Sequence, residues 1–497
     1  MSALTRRELL TAVGVAAAGV AVSCAATRTD SATAANAWAD LRNRLRGQLL
    51  RPGQPDFAPL TTPRNLRFAA TVPTALALCA DAEDVATAVR WARNTNTPFA
   101  IRGGGHNYAR ASSTDGLLIS TRSMNAATVD GNSLRVGAGV RNADLAALLP
   151  RTDGGRLLLP GGNCPGVGVA GLTLGGGIGP NAPWAGLTAD RLRKVTLVTA
   201  AGDIVTASGA ENADVFWALR GGAGGNFGVV TDLEFELVEV PVTPVTTAEI
   251  VVAGRDAALA TALAFQELRH QAERVATGNL YLGHSQDGVE AVLTAQILTD
   301  ERNARDLLTR LLATPGVRAD ITQRSWWDAY GWYVTPPSSA YSFWDRSLYA
   351  DDFLSGEVLS AALDVVERFP AGAERYGAMG LYGWVGGAVH DVDAAATAYV
   401  HRRAQVLVEM SAGWPTPPTP GTPVTAIPDD IRGWEEELWE TLLPHTTGRS
   451  YQNFPDPELP DWATAYYGDN LGRLRTVKAT WDPDGLFTYP QSVPRAR

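Results

Sequence analysis

Two side chains in this sequence sit where no ordinary core residue belongs. His106 follows three adjacent glycines, Gly103-Gly104-Gly105, at the end of the apolar run Phe99-Ala100-Ile101 and Arg102. Cys164 lies inside a second glycine-rich stretch, LLLPGGNCPGVGVAGLTLGGGIG, from Leu157 to Gly179. Adjacent glycines cost backbone entropy, so something must require them. They let the main chain approach a bulky ligand closely, and successive N–H groups can form a concave anion site. The two stretches read as two walls of one ligand site. By residue type alone, His106 is a satisfied structural group or a general base. Cys164 is a small inert residue or a redox thiol. Neither has metal-ligand spacing: Cys-x-x-Cys and His-x-x-x-His are both absent from the sequence, so no metal is expected.

A third glycine cluster, Gly221 to Gly228, follows the helical pattern Ala213 to Arg220. None of the clusters forms a G-x-x-x-x-G-K-[ST] phosphate loop, and the first does not give G-x-G-x-x-G. A kinase-like or nicotinamide-binding reading therefore has little support. The 497 residues exceed what one core can fill, which predicts at least two folding units. The net charge of -10 argues against nucleic acid or an anionic membrane as the main partner. Three cysteines cannot build a disulfide framework, and Cys79, in the apolar run TALALCA, reads as a buried structural thiol.

Several elements can be read along the chain. Residues 1–35 resemble a twin-arginine leader: Thr5-Arg6-Arg7-Glu8-Leu9-Leu10 precedes an apolar run to Val22 that is too short for a convincing membrane span. This predicts an exported or cell-envelope protein with no integral span. Cys24 is a candidate lipid anchor, and Ala32-Thr33-Ala34 an alternative cleavage site. Residues 36–63 read as helical and then irregular, with apolar residues at helical spacing over 37–50. Strand Ala75–Ala80, helix Asp81–Asn94 and strand Phe99–Ile101 form a βαβ pattern. Short strands are predicted at 116–120, 133–136, 194–199 and 229–237, with a helix over Val140–Leu149. After Pro244 the glycine clusters stop, and helical periods alternate with apolar strands to about residue 413. A Pro-rich linker covers Trp414 to Pro428.

The pieces RGGGHNY, PGGNCPGVGVAGLTLGGGIG, FWALRGGAGGNFGVVT and the tail from Tyr451 to Val493 resemble the berberine bridge enzyme-like branch of the vanillyl-alcohol-oxidase flavoproteins. The likeness covers residue 64 to the end, in order and spacing. It is nearest to members acting on glycosylated antibiotics, other secondary metabolites and gluco-oligosaccharides. The resemblance implies an α+β fold. A two-subdomain FAD-binding unit would be joined by a substrate unit with an antiparallel sheet and covering helices. The implied boundaries are 36–240 for the FAD unit, 241–428 for the substrate unit and 429–497 for a segment returning to the FAD unit.

The resemblance also implies roles. FAD would be bonded through His106 at the flavin 8-methyl carbon and through Cys164 at its 6-position. The backbone of Arg102, Gly103, Gly104 and Gly105 would cradle the diphosphate, with Asn107 beside it. Gly162, Gly168, Gly171, Gly175, Gly176, Gly177 and the run Gly224 to Gly228 would shape the cleft. Val230 would lie near the adenine and Asn453 by the isoalloxazine. Tyr451 would be the catalytic base, with Tyr108 near the flavin. Tyr382 would supply a second acidic group, although Val385-Gly386-Gly387 stands where the family has Tyr-Gly-Gly, so Tyr376 or Tyr333 are alternatives. A phenol titrates near pH ~10 and needs help to act as a base. The aromatic run Trp326–Tyr333, with Tyr341, Phe343 and Trp344, would offer stacking faces to a sugar or polycyclic substrate. Val167, small at a position beside the flavin, implies that dioxygen is the acceptor and hydrogen peroxide the product. Two other functions fit the same fold: a self-protection flavoprotein that reoxidises a drug, and a binding protein without turnover.

Overall fold

The computed structural model describes residues 36–285, 288–334, 340–415 and 426–496. The leader, Cys24 and most of the Pro-rich linker lie outside the described residues.

The helix Ala82–Asn94 starts where its first turn is capped. Asp81 accepts from the Asp84 N–H at 3.0 Å, and Glu83 and Asp84 lie at the positive end of the helix. Its buried face, Val85, Val89, Trp91 and Ala92, packs on a four-stranded sheet. The strand order is Gln48–Leu50, Ala75–Leu78, Leu117–Ser120, Phe99–Arg102. The last three run parallel, and Leu117–Ser120 inserts between the two strands that the helix connects. Cys79, at the end of this core, has no exposed surface.

One expectation is corrected here. The helical spacing over 37–50 is followed only to residue 44, and Gln48–Leu50 pairs antiparallel with Ala75–Leu78. The Asp84 carboxylate accepts from Arg46 N and Gly47 N, each at 2.8 Å, and a Cβ on Gly47 would lie 2.1 Å from the Leu78 carbonyl. A contact 37 residues away overrides the local period.

A second, five-stranded antiparallel sheet follows, in the order Ala127–Asp130, Ser133–Gly137, Val229–Glu236, Leu192–Val198, Ile204–Ser208. Its two outer strands are short and largely unburied, so a reading based on hydrophobic runs passes over them.

Residues 245–414 build one seven-stranded antiparallel sheet. Its order is Arg318–Arg324, Val245–Ala253, Gly288–Ile297, Ala276–Ser285, Tyr376–Tyr382, Val406–Trp414, Ser342–Ala350. Period-2 alternation gives each strand two faces. In Val406–Trp414, residues Val406, Val408, Met410 and Ala412 enter the main core beneath the helices Arg255–Gln271 and Gly356–Glu367. Glu409 and Ser411 face the glycine-rich loops of the first unit instead. The helix Asp429–Leu442 packs on Gly356–Glu367 and on Val406–Trp414, so the chain stays with the large sheet beyond the boundary expected at 429.

The return to the first unit is made by the helix Leu471–Trp481, which packs against Ala213–Ala218. Its anchor is Lys478, whose side chain is 2 % exposed. The ammonium donates to Asn226 O at 2.6 Å, Asp482 Oδ2 at 2.7 Å and Phe487 O at 2.7 Å. Replacing Lys478 with Met removes the counter-charge of the buried Asp482, which keeps only the N–H groups of Leu486 and Phe487, and takes the ammonium donor from two carbonyls. That change is expected to lower stability by about 3–5 kcal/mol, read as a lower midpoint in denaturant unfolding.

Candidate active site

The glycine-rich loops, the polar face of the large sheet and the C-terminal segment enclose a cavity of about 670 Å³. Its lining starts at Ile101 and Phe487 and reaches Tyr281 and Tyr376 on the large sheet.

The two walls expected from the sequence meet here. A Cβ on Gly104 would lie 2.3 Å from Gly168 N, so the histidine loop and the cysteine loop touch backbone to backbone. Only glycine permits that approach. His106 rests on the same strip: a Cβ on Gly166 would lie 2.5 Å from its Nε2. Asn142 holds the cysteine loop by donating from Nδ2 to Gly162 O at 3.1 Å and to Cys164 O at 3.0 Å. Gly104→Ala is expected to force the loops apart and to lower the flavin-to-protein absorbance ratio of the purified protein several-fold.

Burial, together with the charges of Arg64 and Arg141, lowers the His106 pKa to about 4. The imidazole is therefore neutral at pH 7, with a lone pair free to act as a nucleophile. Cys164 is half-buried and in no disulfide.

Tyr451 is 1 % exposed and lies at the bottom of the cavity. Its phenol oxygen accepts from Gly177 N at 3.1 Å, Ile178 N at 3.3 Å and Asn453 Nδ2 at 3.0 Å. The turn that aims the two amides needs Gly176 at φ +113° and Gly177 at φ +81°. Burial raises the phenol's pKa, and the three donors pull it back by favouring the anion.

The other tyrosines divide. Tyr108 lines the cavity, its ring stacked on Phe454 at 5.1 Å and 4°. Tyr382 donates to Glu409 Oε2 at 2.5 Å and shares a hydrogen bond with the Tyr281 hydroxyl at 2.9 Å. Tyr376 also lines the cavity and donates to the Tyr341 hydroxyl at 3.0 Å. Tyr333 does not line it: its hydroxyl donates to Thr294 O at 3.2 Å, within the fold.

Gly103, Gly104, Gly105, Asn107, Gly162, Val167, Gly168, Gly171, Gly228, Val230 and Asn453 all line the cavity. Arg102, expected to take part through its backbone, spends its guanidinium elsewhere: it donates to Thr61 O, Ser112 O and Ser113 Oγ, tying three segments together. Two expectations are corrected. Gly175, Gly176 and Gly177 sit behind the lining, against Asn453, Tyr399 and Thr188 respectively. The aromatic run Trp326–Tyr333 is a packing helix, not a stacking face of the cavity. Trp327 Nε1 donates to Gly155 O at 2.7 Å, and Trp326 packs edge-on against Trp184. Phe343 and Trp344 are likewise held inside, whereas Tyr341 reaches the lining.

Sequence reasoning missed Asp345, Glu409, Tyr281 and Arg64, which also line the cavity. A signal was present for two of them: Glu409 in VLVEMSAGW and Asp345 in SFWDRSLYA are lone carboxylates in apolar strands. A buried carboxylate in such a strand is rare without a task.

The lining suits a flavin dinucleotide. The loop side offers small residues and main-chain N–H groups, and a Cβ on Gly171 would meet nothing within 4 Å. Asp345 and Glu409, the carboxylates of the lining, both belong to the large sheet. Among the described residues no group of three or more metal-binding side chains occurs, and no helix is long and apolar enough to cross a membrane.

The FAD binding domain family matches residues 73–208, and the family described as berberine and berberine like matches residues 450–494. An uncharacterised FAD-linked oxidoreductase of Bacillus subtilis, YgaK, is 29% identical over 92% of this chain and 98% of its own. The chitooligosaccharide oxidase of Gibberella zeae is 30% identical over 85% of this chain and 87% of its own. A solved structure of the Acremonium strictum glucooligosaccharide oxidase, whose FAD is 6-S-cysteinyl and 8α-N1-histidyl, has 26% identity. It superposes with a TM-score of 0.79 over 90% of this chain and 97% of its own. Fold, cavity and sequence therefore agree: the chain belongs to the berberine bridge enzyme-like family of FAD-linked oxidoreductases.

Proposed function

We propose that this protein is an exported oxidase that holds FAD through both His106 and Cys164 and oxidises a hydroxyl-bearing carbon of a sugar or secondary-metabolite alcohol. One observation carries the reading. The neutral His106, the half-buried Cys164 and a tyrosine whose oxygen is ringed by three N–H donors open into one cavity. Likeness to two oligosaccharide oxidases supports the substrate class, and the twin-arginine pattern at Thr5–Leu10 supports export.

When bound, FAD supplies the hydride acceptor and passes two electrons on to dioxygen. The chain supplies the rest. Tyr451 Oη receives the hydroxyl proton as the adjoining C–H leaves as hydride. Gly177 N, Ile178 N and Asn453 Nδ2 hold the charge that forms there, as fixed dipoles that need no reorganisation. The stacked pair Tyr108 and Phe454 walls the reacting centre from solvent. Val167, small and in the lining, leaves room for dioxygen.

The test is anaerobic mixing of the holoenzyme with sugars, glycosylated antibiotics and simple secondary alcohols. Flavin bleaching is expected with a member of the first two classes, followed by recovery and one hydrogen peroxide per turnover when air is admitted. A flavin that no alcohol bleaches would refute the oxidase reading.

A further inference from the structure

We propose that the wall formed by Glu409 and Asp345 receives a protonated amine of the substrate, so that the alcohol oxidised here is carried on an amine-bearing molecule such as an amino sugar. The inference rests on the oxidase reading above and narrows its substrate class.

The two carboxylates are neighbours by register. Asp345 pairs with Ser411, and Glu409 pairs with Ser347 on the same two strands. They are therefore diagonal on one face, a spacing of roughly 7–8 Å between backbones, which long side chains bridge. Both are nearly buried, at 6% and 5% exposure, and both line the cavity. Asp345 Oδ1 accepts from Ser411 at 2.6 Å, and Glu409 Oε2 accepts from Tyr382 at 2.5 Å. Among the described residues no donor reaches the other Glu409 oxygen, Oε1, and no cationic side chain pairs with Glu409.

Two like charges buried side by side cannot both ionise without a counter-charge. The groups facing Glu409 do not provide one. Tyr382 and Tyr281 come from neighbouring strands and Tyr108 from the histidine loop, and burial keeps all three phenols protonated. Asp345 adds repulsion. Arg64, the cation of the lining, offsets part of the Asp345 charge and is stacked 4.5 Å over the Tyr341 ring. Burial consequently holds Glu409 up at about 7 and Asp345 well above the usual carboxylate range. A neutral hydroxyl brings one donor and leaves the proton in place. An ammonium brings three donors and a full charge, fills Glu409 Oε1 and lets both carboxylates ionise. The ring faces around the pair favour the same ligand, and Arg64 on Tyr341 shows a cation already held by this wall.

The experiment compares three disaccharides of one skeleton on the holoenzyme: β-1,4-linked glucosamine disaccharide, its N,N′-diacetyl form, and cellobiose. Kd is read from flavin difference spectra without oxygen. The free amine is expected to bind about tenfold or more tightly than either neutral sugar at pH 7.5. Its affinity should pass through a maximum near pH 7, falling on the acid side as Glu409 takes up a proton and on the alkaline side as the sugar's amine loses its own, while the neutral sugars stay flat. In Glu409→Gln the amine should lose about tenfold and the neutral sugars far less. The wild-type pH series needs no variant, so a misfolded Glu409→Gln does not decide the matter. Equal or weaker binding of the amine, including none detected, overturns the proposal, as does an equal loss for all three sugars in Glu409→Gln. Bleaching by neutral sugars with no amine preference would sink this inference alone. Tight amine binding without bleaching by any alcohol would instead sink the oxidase reading.

Discussion

Tyr451→Phe is expected to cut the rate of flavin reduction by about 10²–10⁴-fold while leaving substrate affinity within a few-fold. The substitution removes one oxygen and keeps the ring, which packs edge-on against Tyr349, Tyr399 and Phe454. The fold should be kept, at a cost of about 1–3 kcal/mol, because Gly177 N, Ile178 N and Asn453 Nδ2 lose their shared acceptor. The loss should fall on the chemical step, because the proton has no alternative acceptor at that place. Single-turnover bleaching under nitrogen measures it directly. The wild-type reduction rate should rise with pH, since burial lifts the phenol and the reactive form is the anion. That rise should be missing in Tyr451→Phe. An unchanged bleaching rate would remove Tyr451 from the chemistry.

The second large effect concerns retention of the flavin. His106→Ala with Cys164→Ala is expected to convert an acid-stable yellow protein into one whose colour passes a filter after acid unfolding. Each single variant should keep its flavin, because one covalent bond suffices against dilution. The His106 prediction has a pH signature. The imidazole stays neutral down to about pH 4, so reconstitution of the histidyl link should persist well below the ordinary histidine pKa. The linkage sign follows from the same shift. A histidine whose folded pKa is depressed favours unfolding as it charges, so apoprotein stability should fall as pH drops from about 6.5 toward 4. A double variant that retains its colour would show that neither residue is an attachment point.

The local signals in this sequence were sufficient for the βαβ frame of the first unit. Glycine triplets after apolar runs, a capped helix and parallel strands are short-range features, and the structure has them at Phe99–Arg102, Ala82–Asn94 and Ala75–Leu78. They also singled out His106 and Cys164, since a reactive side chain flanked by glycines is visible without knowing what lies across from it. The tertiary structure alone decided which of the other candidates face the ligand. Trp327 carries the right chemistry, yet it spends its indole N–H on the carbonyl of Gly155, in a distant segment. Glu409 and Asp345, 64 residues apart, become one feature only because their strands pair in a register that sets them diagonally on the cavity face. Strand register is fixed by packing on both sides of a sheet at once, and no window of neighbouring residues contains that information.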